Sequence, residues 1–149
     1  MSGPVLRTAL LLVAVGMLSA CSPAAPAAGT NASPRRIDLT MTDRMTFEPA
    51  RIEVRRGETI RFVVRNTSNE AHEAYVGTEE EQGVQATNHG QVPAEDQTTT
   101  THMGYGVHVA PFGNGELVVA FENAYEYVIG CHYPGHYAAG MRAVIEVTD

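Results

Sequence analysis

From Arg35 to the end of the 149-residue chain, apolar and polar side chains alternate in short runs separated by turn residues, and this pattern narrows the choice of fold more than any other feature. Ile37, Leu39 and Met41 interleave with Asp38, Thr40 and Thr42, Ile52 and Val54 interleave with Glu53 and Arg55, and Ile60 to Val64 is a β-branched and aromatic run. A period of two sends successive side chains to opposite faces of a strand. Arg56-Gly57-Glu58 supplies a turn, and a further strand is expected to start at His72 after the polar turn Asn66 to Ala71. Val107 to Ala110, Leu117 to Phe121, Tyr125 to Gly130 and Ala143 to Val147 complete the set, with Gly104-Tyr105-Gly106 and Pro111 to Gly115 as turns. No long window shows the helical period. Seven to eight short strands in one small domain predict an all-β antiparallel sandwich or barrel. One stretch breaks the rhythm: residues 78–103 form a long polar excursion with a helical turn expected around Glu79 to Gln82.

The N-terminal end has a different character. Arg7 precedes the uncharged run Ala9 to Leu18, which is too short to span a bilayer and reads as the apolar core of a signal peptide over residues 1–20. Leu18-Ser19-Ala20-Cys21 resembles a bacterial lipobox, which implies lipidation of Cys21 and anchoring at the extracytoplasmic face of a bacterial membrane, in the periplasm or at the cell surface. Residues 21–34, rich in Ala, Pro and Ser, are expected to be a flexible tether, with the folded domain at 35–149. There are 17 acidic residues, 10 arginines and no lysine, so the chain lacks the basic surface that a nucleic-acid partner requires.

Chemistry concentrates in Cys131-His132-Tyr133-Pro134-Gly135-His136-Tyr137-Ala138-Ala139-Gly140-Met141, a loop between two expected strands. A soft thiolate, a neutral imidazole and a weak thioether in one loop select copper, given one more imidazole. His72, at the start of its strand, can supply it. His132 follows Cys131 directly and is expected to face away from the metal, at the surface. A cysteine-protease dyad of Cys131 and His136 is the weaker alternative, because nothing marks an oxyanion hole or an orienting third residue. His89, His102, Met103 and His108 are loosely spaced. Of these, His102 and Met103 are candidates for a weak second metal site.

The C-x4-H-x4-M loop with Pro-Gly before its histidine resembles that of the cupredoxins, the blue type 1 copper proteins of the plastocyanin and azurin superfamily, and is closest to auracyanin. The pattern Met45-Thr46-Phe47-x-Pro49, Ile52-x-Val54, Gly57-x-Thr59 and Phe62-x-Val64-x-Asn66 extends the likeness over most of residues 37–149. The resemblance implies a Greek-key β-sandwich and one copper ion held by His72, Cys131, His136 and Met141. It also implies an apolar docking patch beside His136, for which Tyr137, Ala138 and Ala139 are the candidates. The function implied is that of a monomeric, non-enzymatic one-electron carrier serving redox partner proteins of the cell envelope. The alternative is a copper-binding, chaperone or copper-resistance protein. Two departures stand out: residue 73 is Glu where azurin and plastocyanin have Asn, and the 78–103 excursion exceeds plastocyanin's connection.

Overall fold

The computed structural model describes residues 28–89, 101–103 and 105–149. In chain order the elements are β1 (Arg35–Met41), β2 (Phe47–Glu48), β3 (Arg51–Arg55), β4 (Glu58–Asn66), β5 (His72–Gly77), α1 (Glu79–His89), β6 (Thr101–Met103), β7 (Gly106–Val109), β8 (Asn114–Phe121), β9 (Glu126–Gly130) and β10 (Arg142–Thr148). They form two sheets, one ordered β2-β1-β4-β8 and the other β3-β10-β9-β5-β7-β6. Each sheet turns one face inward. Along β8 buried and exposed residues alternate without a break, so Leu117, Val119 and Phe121 face the core beside Ile60, Phe62 and Val64 of β4. The opposing sheet contributes Ile52, Val54, Val76, Val107, Val109, Ile129 and Ile145. Phe62 and Phe121 meet edge to face, with ring centroids 6.4 Å apart.

The sandwich expected from the alternation is present, with eight strands of four residues or more and the two short pieces β2 and β6. It is not purely antiparallel. β1 pairs with β4 in parallel, and so does β3 with β10. The cause is the crossing of the chain between sheets: β3 leaves the sheet that holds β1 and β4, so β4 returns beside β1 in the same direction.

The excursion carries a full helix where one turn was expected. Thr78 Oγ1 accepts the N–H of Glu81, and Glu81 Oε2 accepts the N–H of Thr78, which is a capping box. Glu79, Glu80 and Glu81 place negative charge in the first turn, where the helix dipole favours it. β6, at the end of the excursion, pairs with β7. The side chains of His102 and Met103 lie outside the described residues, as do Cys21 and the expected leader.

Chain that composition assigns to the tether lies on the sheet. The Gly29 N–H donates to Glu58 Oε1 (3.1 Å), its carbonyl accepts the N–H of Thr59 (3.1 Å), and Thr59 Oγ1 donates to Asn31 Oδ1 (2.6 Å). A Cβ at position 29 would lie 2.1 Å from the carbonyl oxygen of Thr59, so only glycine permits this approach. Glu58 is the centre of the clamp. Arg35 meets its two oxygens through Nε and Nη2, each at 2.8 Å, and Arg55 donates its backbone N–H at 2.9 Å. These donors hold the Glu58 carboxyl down at about 2, with the Arg35 hydrogen bonds the largest cause.

Candidate metal centre

β5 and β9 run antiparallel with Tyr75 opposite Gly130, so the start of one lies beside the end of the other. His72 and Cys131 thereby come together although 59 residues separate them. The chain after β9 then folds back on itself. Tyr133-Pro134-Gly135-His136 closes with the His136 N–H on the Tyr133 carbonyl, Pro134 in the second place and Gly135 at φ 85° in the third. This is the arrangement a type II turn requires. The Met141 N–H bonds the His136 carbonyl, and the Met141 carbonyl accepts the Cys131 N–H, so both ends of the loop are tied.

The result is a triangle of donor atoms. His72 Nδ1 and His136 Nδ1 are 3.2 Å apart, and Cys131 Sγ is 3.9 Å from the first and 3.4 Å from the second. A point equidistant from all three lies about 2 Å from each, the bond length of imidazole nitrogen to a divalent first-row metal and slightly short for sulfur. Cys131 and Met141 are wholly enclosed, and His72 nearly so. His136 reaches furthest toward solvent. Among the described residues this is the one cluster of such donors that could hold a metal ion.

Its electrostatics suit a metal better than free side chains. Burial pushes the Cys131 thiol up to about 12, only partly offset by the Glu73 N–H that donates to Sγ at 3.3 Å. Burial, and then the neighbouring His136, lower the His72 imidazole to about 4. His136 is lowered too, by burial, with Glu70 opposing. Two neutral imidazoles and a thiol are thus held together, and a soft cation replacing the thiol proton supplies the charge that burial withholds.

A serine just outside the triangle fixes the His72 ring. Ser68 Oγ lies 2.9 Å from Asn66 Oδ1 and 2.9 Å from the Glu70 carbonyl, both acceptors, so it receives the Nε2–H of His72 at 2.9 Å and leaves Nδ1 bare toward the cluster. Glu70 Oε2 stands 3.7 Å from His136 Nε2, beyond hydrogen-bond distance, and its charge opposes the lowering of that imidazole. Sequence reasoning misses both residues, because their only signal is a serine and a glutamate shortly before His72. Glu73 is fully buried and accepts the backbone N–H of His132 (3.1 Å) and a side-chain N–H of Gln85 (2.6 Å).

His132 stands apart from the donor cluster, as expected, but it is not a surface residue. It is buried, bonded through Nε2 to Gln82 Oε1 at 2.7 Å and stacked on Tyr137 at 4.7 Å, because α1 covers the face to which it turns. Tyr137 follows it toward α1, donating its hydroxyl to Glu79 at 2.9 Å, while Ala138 and Ala139 are exposed. The recess beside the outer edge of His136 is lined by Glu70, Ala71, Tyr133 and Pro134. His108 is buried in β7 with its Nε2 3.4 Å from Glu73.

Comparison with known proteins agrees with this geometry. The sequence matches copper binding proteins of the plastocyanin/azurin family over residues 36–148. It is 38% identical over 108 residues to the copper-resistant cuproprotein CopI of Rubrivivax gelatinosus, covering 72% of this chain and 62% of that protein, so the match spans less than two thirds of the relative. A protein of the same name from Pseudomonas aeruginosa is 30% identical over 141 residues, covering 78% of this chain and 77% of its own length. Among solved structures, the auracyanin of Roseiflexus castenholzii superposes with a TM-score of 0.61 at 25% identity, over 76% of this chain and 97% of its own. The chain is therefore a cupredoxin, a member of the plastocyanin/azurin family of copper-binding proteins, with a His-Cys-His cluster suited to a single copper ion.

Proposed function

We propose that the protein carries single electrons through one type 1 copper that His72, Cys131 and His136 would hold, with the Met141 thioether as a further weak donor. The observation that carries this reading is the triangle itself, already closed around one point, with the His72 ring fixed from behind by Ser68. When bound, copper supplies a Cu(II)/Cu(I) couple. The chain holds the donors so that they move little between the two states, excludes water from the sulfur, and presents the edge of His136 to a partner. Electron tunnelling falls steeply with distance, so the partner must sit close to that edge.

A carboxylate added at the recess, Ala71→Glu, should slow self-exchange of the copper-loaded protein about tenfold by like-charge repulsion, with colour and copper content unchanged. Line-broadening measurements on mixed oxidation states would read this. An unchanged rate would remove His136 as the electron port.

Both curated relatives are named for copper resistance, which favours copper binding or delivery as the second reading. In that case copper should leave for an acceptor protein within seconds of mixing, whereas an electron carrier retains it through many redox cycles. In either case we place the domain outside the cytoplasm on a lipid at Cys21. Cys21→Ser should shift most of the protein from the membrane fraction to the soluble fraction, or leave the precursor uncut. A wild-type protein that is wholly soluble after export would overturn this placement.

A further inference from the structure

Helix α1 is an unusual way to cover a sheet. Of its described residues only Gln82 is buried and only Gln85 is half-buried, while Val84, its one large apolar side chain, is exposed. A helix kept for core packing turns an apolar stripe inward. This one turns two amides inward, three residues apart and therefore on one face.

Both amides lead to the segment that holds the sulfur. Gln82 donates Nε2–H to the carbonyls of Val128 (2.7 Å) and Tyr75 (3.1 Å) and presents Oε1 to His132 Nε2 at 2.7 Å. Gln85 donates to Glu73 Oε1, whose other oxygen takes the His132 backbone N–H and whose own N–H points at Cys131 Sγ. On the other side of Cys131 is Gly130, where a Cβ would come within 2.4 Å of Gln82 Oε1 and 2.7 Å of the Tyr137 ring. Both chain neighbours of the cysteine are therefore gripped from α1: Gly130 by close packing that only a bare backbone allows, and His132 by hydrogen bonds to its ring and, through Glu73, to its backbone.

We propose that Gln82 and Gln85 are positioning residues of the copper centre, setting the place of Cys131 Sγ through His132 and Glu73 without touching the metal. The idea rests on Cys131 being the thiolate ligand. It also gives the long polar excursion a purpose, which is to supply through Gln85 a donor to the buried Glu73. Outer partners of this kind change metal affinity by about 10- to 100-fold when removed.

The test exchanges the two ends of one hydrogen bond. Gln85→Glu sets a second carboxylate against Glu73. The double variant Glu73→Gln with Gln85→Glu restores the contact with donor and acceptor reversed, and the new amide oxygen at position 73 can still accept the His132 N–H. Gln85→Glu should weaken copper binding about tenfold and alter the thiolate charge-transfer spectrum. In the copper-free protein, alkylation of Cys131 by iodoacetamide should be about tenfold faster as the segment opens locally. The double variant should return spectrum and alkylation rate toward wild type.

Gln82→Met, which removes the bond to His132, should act in the same direction and serves if Gln85→Glu fails to fold. A helix with a purely structural role would lower the unfolding midpoint in these variants with no change in spectrum or alkylation rate, and that result overturns the proposal. If the wild-type protein itself lacks the charge-transfer band, the copper reading fails, and the alkylation rates still decide whether α1 positions Cys131.

Discussion

Copper-loaded Cys131→Ser is expected to be colourless, with the narrow copper hyperfine splitting in electron spin resonance replaced by the wide splitting of ordinary Cu(II). The strong visible band of a type 1 centre is charge transfer from thiolate sulfur to Cu(II), and Cys131 is the one cysteine among the described residues. A serine hydroxyl is harder and far less acidic than a thiol, and this site already opposes deprotonation, raising even the thiol to about 12. The variant should also bind copper orders of magnitude more weakly, because two imidazoles remain where three strong donors stood. The contrasting variant is Met141→Leu. Its side chain is wholly buried at the end of the loop that begins with Cys131, and if its thioether is a weak donor to copper, its loss would disfavour Cu(II) more than Cu(I), so colour should persist while the potential rises. A Cys131→Ser protein that keeps both colour and narrow splitting would end the type 1 assignment.

The second large effect is on stability. Glu58→Gln should lower the unfolding free energy of the domain by about 3 kcal/mol at neutral pH, the equivalent of moving a carboxyl from 4.5 to about 2 at about 1.4 kcal/mol per pH unit. Because the folded state holds the proton less tightly than the unfolded state, this stabilisation is fully present above the ordinary carboxyl value and is lost as the pH falls toward 2. Denaturant titrations should therefore show wild type and variant about 3 kcal/mol apart at pH 6 and converging near pH 2. A gap that stays constant over that range would mean that the Arg35 pair and the two backbone donors do not act through the charge of Glu58.

Period-two alternation made the strands legible, because each strand has one wet face and one dry one, and β8 shows this most cleanly. The same alternation is silent about partner direction. A strand reads identically in a parallel or an antiparallel pair, so the pairings β1 with β4 and β3 with β10 were hidden. The loop from Cys131 to Met141 was legible because several donors sit on few residues, and His72 because a strand start follows a polar turn. The fate of His132 was half legible: alternation gives the side to which it turns, but what covers that side is α1, whose buried residues are amides that no hydrophobic pattern reveals. The one readable sign of α1 was its capping box, Thr78 to Glu81. Ser68 acts by orienting the His72 ring, which spacing does not encode.

The docking of Gly29 also determines how the protein would hang from a membrane. If Cys21 carries the lipid, the first residue docked on the sheet, Gly29, follows it by eight residues rather than the fourteen to Arg35, and eight residues reach at most about 28 Å. That attachment lies at the end where β4 begins, beside Glu58 and Thr59, whereas Asn66 and Ser68, which brace His72, lie at the other end of β4. A strand of this length separates its ends by about 26 Å at about 3.3 Å per residue. With the lipid attached at that end, the His72 end of the domain would lie about one strand length from the point of attachment, so a partner meeting the edge of His136 would approach from the side away from the tether.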